Sequence, residues 1–221
     1  MTAWSYSSIK TFEQCAKKYY HLKVAKDVAD TGSEATLYGN QLHKAAEEYV
    51  KETKPLPKRF EYIAAILDAL RDIPGEKHCE LRLAIAYDGK SYTSTTYFAK
   101  NVWWRGVADL LIIDGATAYL VDYKTSKNAK YADTTQLDIC AAAVFTYYPQ
   151  VETIKSALVF VVSKEFVQKT HTRQLHKSYY ATFDNQLERL AVAQQSNVWN
   201  AVSGPLCGYC PVKKCEHYRG D

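Results

Sequence analysis

Two short segments place acidic residues and a lysine where they could act together. Arg105-Gly-Val-Ala-Asp109 leads into an apolar run, and a second apolar run ends in Val121-Asp-Tyr-Lys124. Between the runs, Gly115-Ala116 is a pair typical of a two-residue type II′ hairpin loop. This loop fixes the pairing register of the two predicted strands, and the register puts Asp109 directly opposite Asp122.

The predicted register favours a divalent metal ion beside a lysine. Cross-strand Cβ atoms in such a pair are only about 5 Å apart, so the carboxylates of Asp109 and Asp122 repel one another. A hard cation with oxygen ligands relieves that repulsion. Lys124 points to the same face as Asp122, where its ammonium could orient an attacking water and offset charge on a phosphate. These residue types indicate phosphodiester hydrolysis, although a D-x-K triplet also arises by chance on solvated strands.

Three further residues are candidates for the same site. His43 lies one helical turn after Gly39 and is an acceptable ligand for Mg²⁺ or Mn²⁺, which prefer oxygen; the alternative is a surface histidine on an amphipathic helix. Gln136 opens the helix that follows the Asp122 strand, and its amide could orient water or contact a phosphate, or have no role. Glu80, on an alternating strand, is either a solvent-facing charge or an additional metal or water contact.

Hydrophobic periodicity predicts the elements that must hold these residues. Helices are predicted from Ser7 to about Lys23, from Glu34 to about Lys51, around Phe60 to Leu70, from about Thr134 to Tyr148 and around Leu187 to Val198. Strands are predicted at Cys79 to Tyr87, Ser91 to Phe98, Leu110 to Ile113, Tyr119 to Val121, Ala157 to Ser163 and near Ser178 to Phe183. The order indicates an α/β core with a helical start.

Composition is that of an ordinary globular protein: 221 residues, 47% hydrophobic and 24% charged. No apolar run approaches the roughly 20 residues that span a bilayer, and no secretory signal is visible, so we expect a cytoplasmic protein with no membrane contact. The net charge of +4 and the 18 tyrosines, many beside lysines, are compatible with a nucleic-acid partner. In a reducing compartment the six cysteines are metal ligands or buried thiols rather than disulfides.

Three of the cysteines are clustered near the end of the chain. Cys207-x2-Cys210-x4-Cys215 supplies three thiolates and needs a fourth ligand. His217 would complete a local Cys₃His zinc site, and structural thiols without a metal are the other alternative. Cys79 and Cys140 are predicted to be core thiols.

Together, these motifs resemble a known family. Gly39-x3-His43, Gly106-Val-Ala-Asp109, Asp122-Tyr-Lys124 and Thr135-Gln136-Leu137 match, in order and kind, the motifs of RecB-like nucleases of the PD-(D/E)XK superfamily. The match includes the CRISPR-associated exonuclease branch, whose N-terminal motif the segment from Ser5 to Tyr20 resembles. The resemblance implies a single nuclease domain over residues 1–221: a helical part (1–75), a restriction-endonuclease-like α/β core with a short mixed sheet flanked by helices (76–185), and a C-terminal helix with a cysteine-rich tail (186–221).

The resemblance also implies roles for individual residues. His43, Asp109 and Asp122 would be metal ligands together with the carbonyl of Tyr123, and Lys124 would be the catalytic lysine. Cys15 would join Cys207, Cys210 and Cys215 around a [4Fe-4S] cluster, for which Zn²⁺ is the alternative. The sequence departs from the family in two places: Cys140 stands where a tyrosine is common, and Asp122 where glutamate is commoner.

The function implied is a Mg²⁺- or Mn²⁺-dependent deoxyribonuclease, an exonuclease acting on single-stranded or frayed DNA ends. A non-catalytic DNA-binding subunit of a DNA-processing or CRISPR-adaptation complex is the runner-up, and a zinc-ribbon interaction module is a third reading. DNA is the expected partner. A homo-oligomer and a DNA-processing protein partner both remain open.

Overall fold

The computed structural model describes residues 3–29 and 32–220, and its contacts divide the chain into two compact units. One unit combines the two ends of the chain, Met1–Gly32 and Phe183–Asp221, and the other is the continuous segment Ser33–Thr182. The helices are α1 (Tyr6–Gln14), α2 (Ala16–Tyr19), α3 (Glu34–Glu52), α4 (Ala64–Arg71), α5 (Thr135–Tyr147), α6 (His176–Ala181) and α7 (Asp184–Ser196). A π-helical turn (Tyr20–Val24) and three 3₁₀ helices (Lys58–Ile63, Arg173–Leu175 and Pro205–Tyr209) complete the helical elements that are described.

The central unit is built on a six-stranded mixed sheet of order β2-β1-β3-β4-β5-β6. Its strands are β1 (Glu76–Tyr87), β2 (Tyr92–Ser94), β3 (Val102–Asp114), β4 (Thr117–Lys124), β5 (Thr153–Phe160) and β6 (Glu165–Thr172). Only β4 and β5 run parallel, because α5 lies between them in the chain and provides the crossover that a parallel pair needs. The predicted α/β core, a mixed sheet flanked by helices, is confirmed.

Helices cover both faces of this sheet. On one face, α3, α4 and the Lys58–Ile63 turn bury Leu42, Ile63 and Leu67 against Leu110 and Val121 of the hairpin. On the other face, α5 is buried without interruption from Leu137 to Phe145, as expected for a helix that is apolar on all sides. The β3–β4 hairpin is therefore packed between α3 and α4 on one face of the sheet and α5 on the other.

The hairpin has the predicted register. Pairing runs from Asp114↔Thr117 to Leu110↔Val121, and Gly115 has the positive φ of 58° that the first position of a type II′ turn requires. The next step along this register would pair Asp109 with Asp122. The two-residue loop thus delivers both carboxylates to the same end of the hairpin.

Several predicted boundaries are wrong, and one predicted strand is wrong altogether. The strand expected near Ser178 to Phe183 is instead mainly helix α6, whose Tyr180 hydroxyl lies 2.8 Å from Thr146 Oγ1 of α5. The antiparallel partner of β5 is instead β6, where no strand was predicted. The strand predicted from Ser91 to Phe98 is present only as the three residues of β2, and the remaining residues form the turn that leads to β3.

The unit formed by the chain ends carries the first and last helices. The helix predicted from Ser7 to Lys23 is interrupted at Cys15, whose extended backbone (φ −164°) separates α1 from α2. At the other end, α7 stops before Val198 because Asn197 takes a left-handed conformation (φ 53°). No helix within residues 3–29 and 32–220 is long and apolar enough to cross a membrane.

Candidate active site and cysteine cluster

The site begins where β3 and β4 stop pairing. The last backbone pair of the two strands is Leu110↔Val121. Beyond it, the Asp109 side chain replaces the backbone partner, and its Oδ2 accepts a hydrogen bond from the backbone amide of Tyr123 at 2.7 Å. Asp109 is buried, so this bond both satisfies the amide and fixes the direction of the carboxylate. Its second oxygen, Oδ1, remains available to other groups.

His43 reaches Asp109 from helix α3. Its Nδ1 lies 3.3 Å from Asp109 Oδ1, and its Nε2 lies 3.1 Å from the carbonyl oxygen of Tyr123. Burial disfavours a charged imidazole, but the hydrogen bond and charge of Asp109, with smaller contributions from Asp122 and Glu80, outweigh burial and raise the pKa of His43. The ring therefore sits among groups that all favour a positive charge.

Glu80 completes a compact group with His43 and Asp109. The ligand atoms of these three residues lie within 4.8 Å of one another, and no other such group of histidine, cysteine, aspartate or glutamate occurs within residues 3–29 and 32–220. Burial, followed by the charge of Asp109, raises the pKa of Glu80. An imidazole and two carboxylates fit Mg²⁺ or Mn²⁺, and we call these residues the metal trio.

A backbone irregularity turns Glu80 toward the trio. Its φ is +50°, which is uncommon for a residue that is neither glycine nor asparagine and costs of order 1–2 kcal/mol. The ladder with β3 is continuous on both sides, at Cys79↔Leu110 and Leu81↔Ala108, so Glu80 itself lies opposite Asp109. Strain of this kind at a cluster of ionisable groups points to function.

Asp122, Lys124 and Gln136 form a second group that adjoins the trio. Lys124 Nζ lies 2.6 Å from Asp122 Oδ2 and donates to Gln136 Oε1 at 2.8 Å, while Gln136 Nε2 donates to Asp122 Oδ1. Burial, followed by the charge of Asp109, raises the pKa of Asp122 to about 6, although Lys124 opposes the shift. The three residues therefore fix each other's positions at a buried site with an excess of negative charge.

The predicted residues are thus brought together, with one difference in grouping. Tyr123 links the two groups, because its amide bonds Asp109, its carbonyl faces His43, and its neighbours in sequence are Asp122 and Lys124. Glu80, rather than Asp122, belongs to the compact trio. Cys140 is a buried thiol whose pKa is raised mainly by burial, which agrees with the prediction of a core cysteine.

A cleft of about 620 Å³ opens beside the metal trio. It is lined by His43 and Glu80 of the trio and by Asn40, Lys44, Glu47, Arg82, Tyr97, Phe98 and Val107. No sequence motif predicted Arg82, Tyr97 or Phe98 as site residues. The alternation of Glu80 with Arg82 along β1 was a signal for Arg82 alone.

The four cysteines assigned by resemblance also lie together, in the unit formed by the chain ends. A cavity of about 160 Å³ is lined by Cys15, Cys207, Cys210, Cys215 and His217, among others. Backbone amides point at two of the sulfurs: Lys18 N lies 3.5 Å from Cys15 Sγ and Gly204 N lies 3.3 Å from Cys207 Sγ. These contacts fix the positions of the two sulfur atoms at the cavity.

The spacing of the ligand atoms in the cysteine cluster can be compared with that of a zinc site. Tetrahedral zinc with bonds of about 2.3 Å needs sulfurs about 3.8 Å apart. Within the described part of the chain, no three ligand atoms of the cysteine cluster lie within 4.8 Å of one another. As placed here, the set is more open than a tetrahedral zinc site with its ion bound.

Comparison with known proteins gives one family and a set of similar solved structures, two of which are described here. The family model of the PD-(D/E)XK nuclease superfamily matches residues 3–215. The crystal structure of a protein named SSO0001 is similar with a TM-score of 0.52 at 14% identity, over 99% of this chain and 88% of that one. A protein from Eubacterium rectale named "putative exonuclease" is similar with a TM-score of 0.51 at 14% identity, over 97% of this chain and 86% of that one. These structural matches show a shared fold, and no curated protein matches the sequence.

Proposed function

We propose that this chain, which belongs to the PD-(D/E)XK nuclease superfamily, is a Mg²⁺- or Mn²⁺-dependent deoxyribonuclease. One observation carries the proposal: the metal trio and the Asp122–Lys124–Gln136 group meet at Tyr123. Ligands for a hard cation and a lysine for the phosphate thus lie together at one partly buried end of the hairpin. A structural ion pair alone would not require the strained Glu80 or two neighbouring buried carboxylates.

His43, Asp109, Asp122, Glu80 and the Tyr123 carbonyl would hold the cation. When bound, it would polarise a phosphoryl oxygen and make an adjacent water more acidic. The chain's own contribution is orientation and charge. Lys124 presents its ammonium where negative charge develops on the phosphate, and Gln136 holds that ammonium in place through the 2.8 Å hydrogen bond.

We further propose that the enzyme is an exonuclease on single-stranded or frayed DNA ends, as in the RecB-like and CRISPR-associated branch that its motifs resemble. The similar fold of the Eubacterium rectale protein, whose name includes the word exonuclease, supports this reading. Because the family match runs from residue 3 to residue 215, we propose that both compact units belong to a single nuclease domain. Acting in the cytoplasm is a separate part of the proposal.

A non-catalytic DNA-binding subunit is the competing proposal. The complete set of Asp109, Asp122 and Lys124 disfavours it, since loss of such residues is what would mark an inactive relative. Cleavage of end-labelled single- and double-stranded DNA, with EDTA, Mg²⁺ or Mn²⁺, tests the choice. Metal-dependent loss of label that Lys124→Ala abolishes supports the nuclease, and DNA binding without cleavage in any metal supports the subunit.

We also propose that Cys15, Cys207, Cys210 and Cys215 bind a structural [4Fe-4S] cluster, with Zn²⁺ as the alternative. The four cysteines line one cavity and backbone amides are directed at two of their sulfurs, which supports a metal centre, and the resemblance to the CRISPR-associated branch favours iron-sulfur. Anaerobically purified protein should be brown and contain about four iron and four sulfide per chain. Colourless protein carrying one zinc would reject the cluster.

A further inference from the structure

Two arginines follow one another along the sheet with increasing distance from the metal trio. Arg82 is two residues from Glu80 on β1 and pairs with Val107, and Arg105 is four residues from Asp109 on β3. At a rise of about 3.4 Å per residue, these rows lie about 7 and 14 Å from the Glu80–Asp109 row. A distance of 14 Å spans about four stacked nucleotides of one DNA strand, and fewer in an extended strand.

The charges of both arginines are available to an anion. Within residues 3–29 and 32–220, neither Arg82 nor Arg105 has a carboxylate within 4.0 Å. Both guanidinium groups instead lie over the ring of Tyr97, at 5.6 and 5.5 Å from its centroid. Contact with a ring face leaves the N–H donors of a guanidinium free for phosphate oxygens.

Phe98 presents an uncovered aromatic ring at the wall of the cleft. Its side chain is 76% exposed, and its ring meets Tyr97 edge to face at 5.2 Å. The turn that carries both rings is fixed, because Ala99 N donates to Thr96 O and the Tyr147 hydroxyl donates to Thr95 O. A single exposed aromatic residue is common, but this one lines the same cleft as Arg82 and the His43 and Glu80 side chains of the metal trio, and Arg105 lies over the ring of the neighbouring Tyr97.

We propose that the Tyr97–Phe98 turn is a stacking platform for an unpaired DNA base, with Arg82 and Arg105 on the flanking phosphates, and that it makes single-stranded DNA the preferred substrate. The inference rests on the proposed deoxyribonuclease function. Phe98 supplies the stacking face, while Tyr97 is held by the arginines and supports Phe98. Bases within a duplex are already stacked on both sides, so only an unpaired base can use the platform.

The first test measures DNA binding without catalysis. A fluorescent single-stranded oligonucleotide is titrated in EDTA, and its anisotropy reports affinity. Phe98→Ala should weaken binding by about 5- to 150-fold, the range for loss of one base–aromatic stack, whereas Phe98→Trp should retain it. The matched control is Phe166→Ala, which removes a half-exposed phenylalanine from β6 at the opposite edge of the sheet. Equal affinities of Phe98→Ala and Phe166→Ala would overturn the platform.

The second test separates stacking from charge. The slope of log affinity against log salt should fall by about 1.4 in Arg82→Gln/Arg105→Gln, since each phosphate contact on a single strand contributes about 0.7. It should not change in Phe98→Ala. The control is Arg71→Gln, which removes an arginine that is paired with Asp68 on α4. It should keep the wild-type slope. An unchanged slope in the double variant would remove the arginines from the proposal.

The third test distinguishes this inference from the proposed function. Phe98→Ala should leave binding to a blunt duplex unchanged and raise KM on single-stranded DNA more than it lowers kcat. Equal losses on both substrates would overturn the single-strand preference, and an equal loss on single-stranded RNA would overturn DNA as the preferred strand. Binding that depends on Phe98, without cleavage in Mg²⁺ or Mn²⁺, would reject the nuclease but support the platform. Cleavage that Phe98→Ala leaves intact would support the nuclease but reject the platform.

Discussion

Glu80 lies opposite Asp109 across β1 and β3, and of the two only Glu80 has a left-handed backbone. A strand that ran straight through this position would avoid the strain of a positive φ. The bend instead keeps Glu80 Oε1 3.9 Å from His43 Nδ1. Glu80 therefore both lowers stability through its strained backbone and supplies a carboxylate to the metal trio. Substitutions that change the backbone strain and the carboxylate separately can measure the two effects.

Replacing Glu80 by glycine should weaken metal binding without weakening the fold. Glycine relieves about 1–2 kcal/mol of left-handed strain and loses about 0.5–1 kcal/mol through chain entropy, so the free energy of unfolding should stay the same or rise by about 1 kcal/mol. Glu80→Ala keeps the strain and should be less stable than Glu80→Gly. Calorimetric titration with Mn²⁺ and urea unfolding measure the two effects. Full Mn²⁺ affinity in both variants would remove Glu80 from the site.

Lys124→Ala and Asp122→Ala should both abolish cleavage, but for different reasons. Removing the lysine leaves the metal trio intact, so Mn²⁺ should still bind while turnover falls by about 100-fold or more. Removing Asp122 should also lower Mn²⁺ affinity. Lys90→Ala, in the exposed turn between β1 and β2, is the control and should keep activity. Turnover at the wild-type rate in either variant would contradict the assignment.

The buried contact of Asp138 with His171 should control acid stability. Asp138 Oδ1 lies 2.8 Å from His171 Nε2, and Lys169 reaches the same carboxylate. Burial alone would raise the pKa of Asp138, but the hydrogen bonds from His171 and Lys169 outweigh burial and lower it. A folded-state pKa below the ordinary 3.8 means that this stabilisation is present above about pH 4 and is lost as pH falls through the folded-state value.

Asp138→Ala should therefore lower the free energy of unfolding at pH 7 by about 1–3 kcal/mol, because it leaves Nε2 of the fully buried His171 without its hydrogen-bond partner. Lys169→Met keeps that acceptor and should cost less. Denaturant unfolding at pH 3 and pH 7 gives both comparisons. If the two variants unfold alike, the contact between Asp138 and His171 contributes little.

Cys15→Ala should lower thermal stability and iron content together. The substitution removes one proposed cluster ligand from between α1 and α2 but no ligand of the catalytic cation. Cys79→Ala, at a half-buried thiol packed against the α3–α4 core, should keep the iron. Iron analysis and thermal melting are the measurements. Loss of bound zinc on His217→Ala, with zinc retained in Cys15→Ala, would favour the local Cys₃His site.

Local rules were enough to predict much of the sheet and the site. Gly115-Ala116 allows only a tight turn, so the positions of Asp109 and Asp122 follow from counting outward. Gln136 could be placed near Lys124 because α5 begins soon after β4. These predictions depended on short stretches of chain.

Features that depend on distant packing could not be predicted in this way. Tyr179 and Tyr180 have strand propensity, but α5 offers them a buried helical contact. Glu80 takes its unusual backbone only where β1, β3 and α3 meet. Phe98 belongs to no periodic pattern, and its position beside Arg82 and Arg105 depends on two strands that are remote in sequence from one another.

Tyr123 connects the residues of the site through its backbone amide and carbonyl, which almost every amino acid has. Its amide donates to Asp109 and its carbonyl faces His43, whereas its buried hydroxyl has no hydrogen-bond partner among residues 3–29 and 32–220. A survey of side-chain substitutions would therefore report Tyr123 as a packing position, with Tyr123→Phe tolerated. Only proline, which lacks the amide proton, would reveal its chemical role, so mutational tolerance at this residue would conceal a position on which the geometry of the whole site depends.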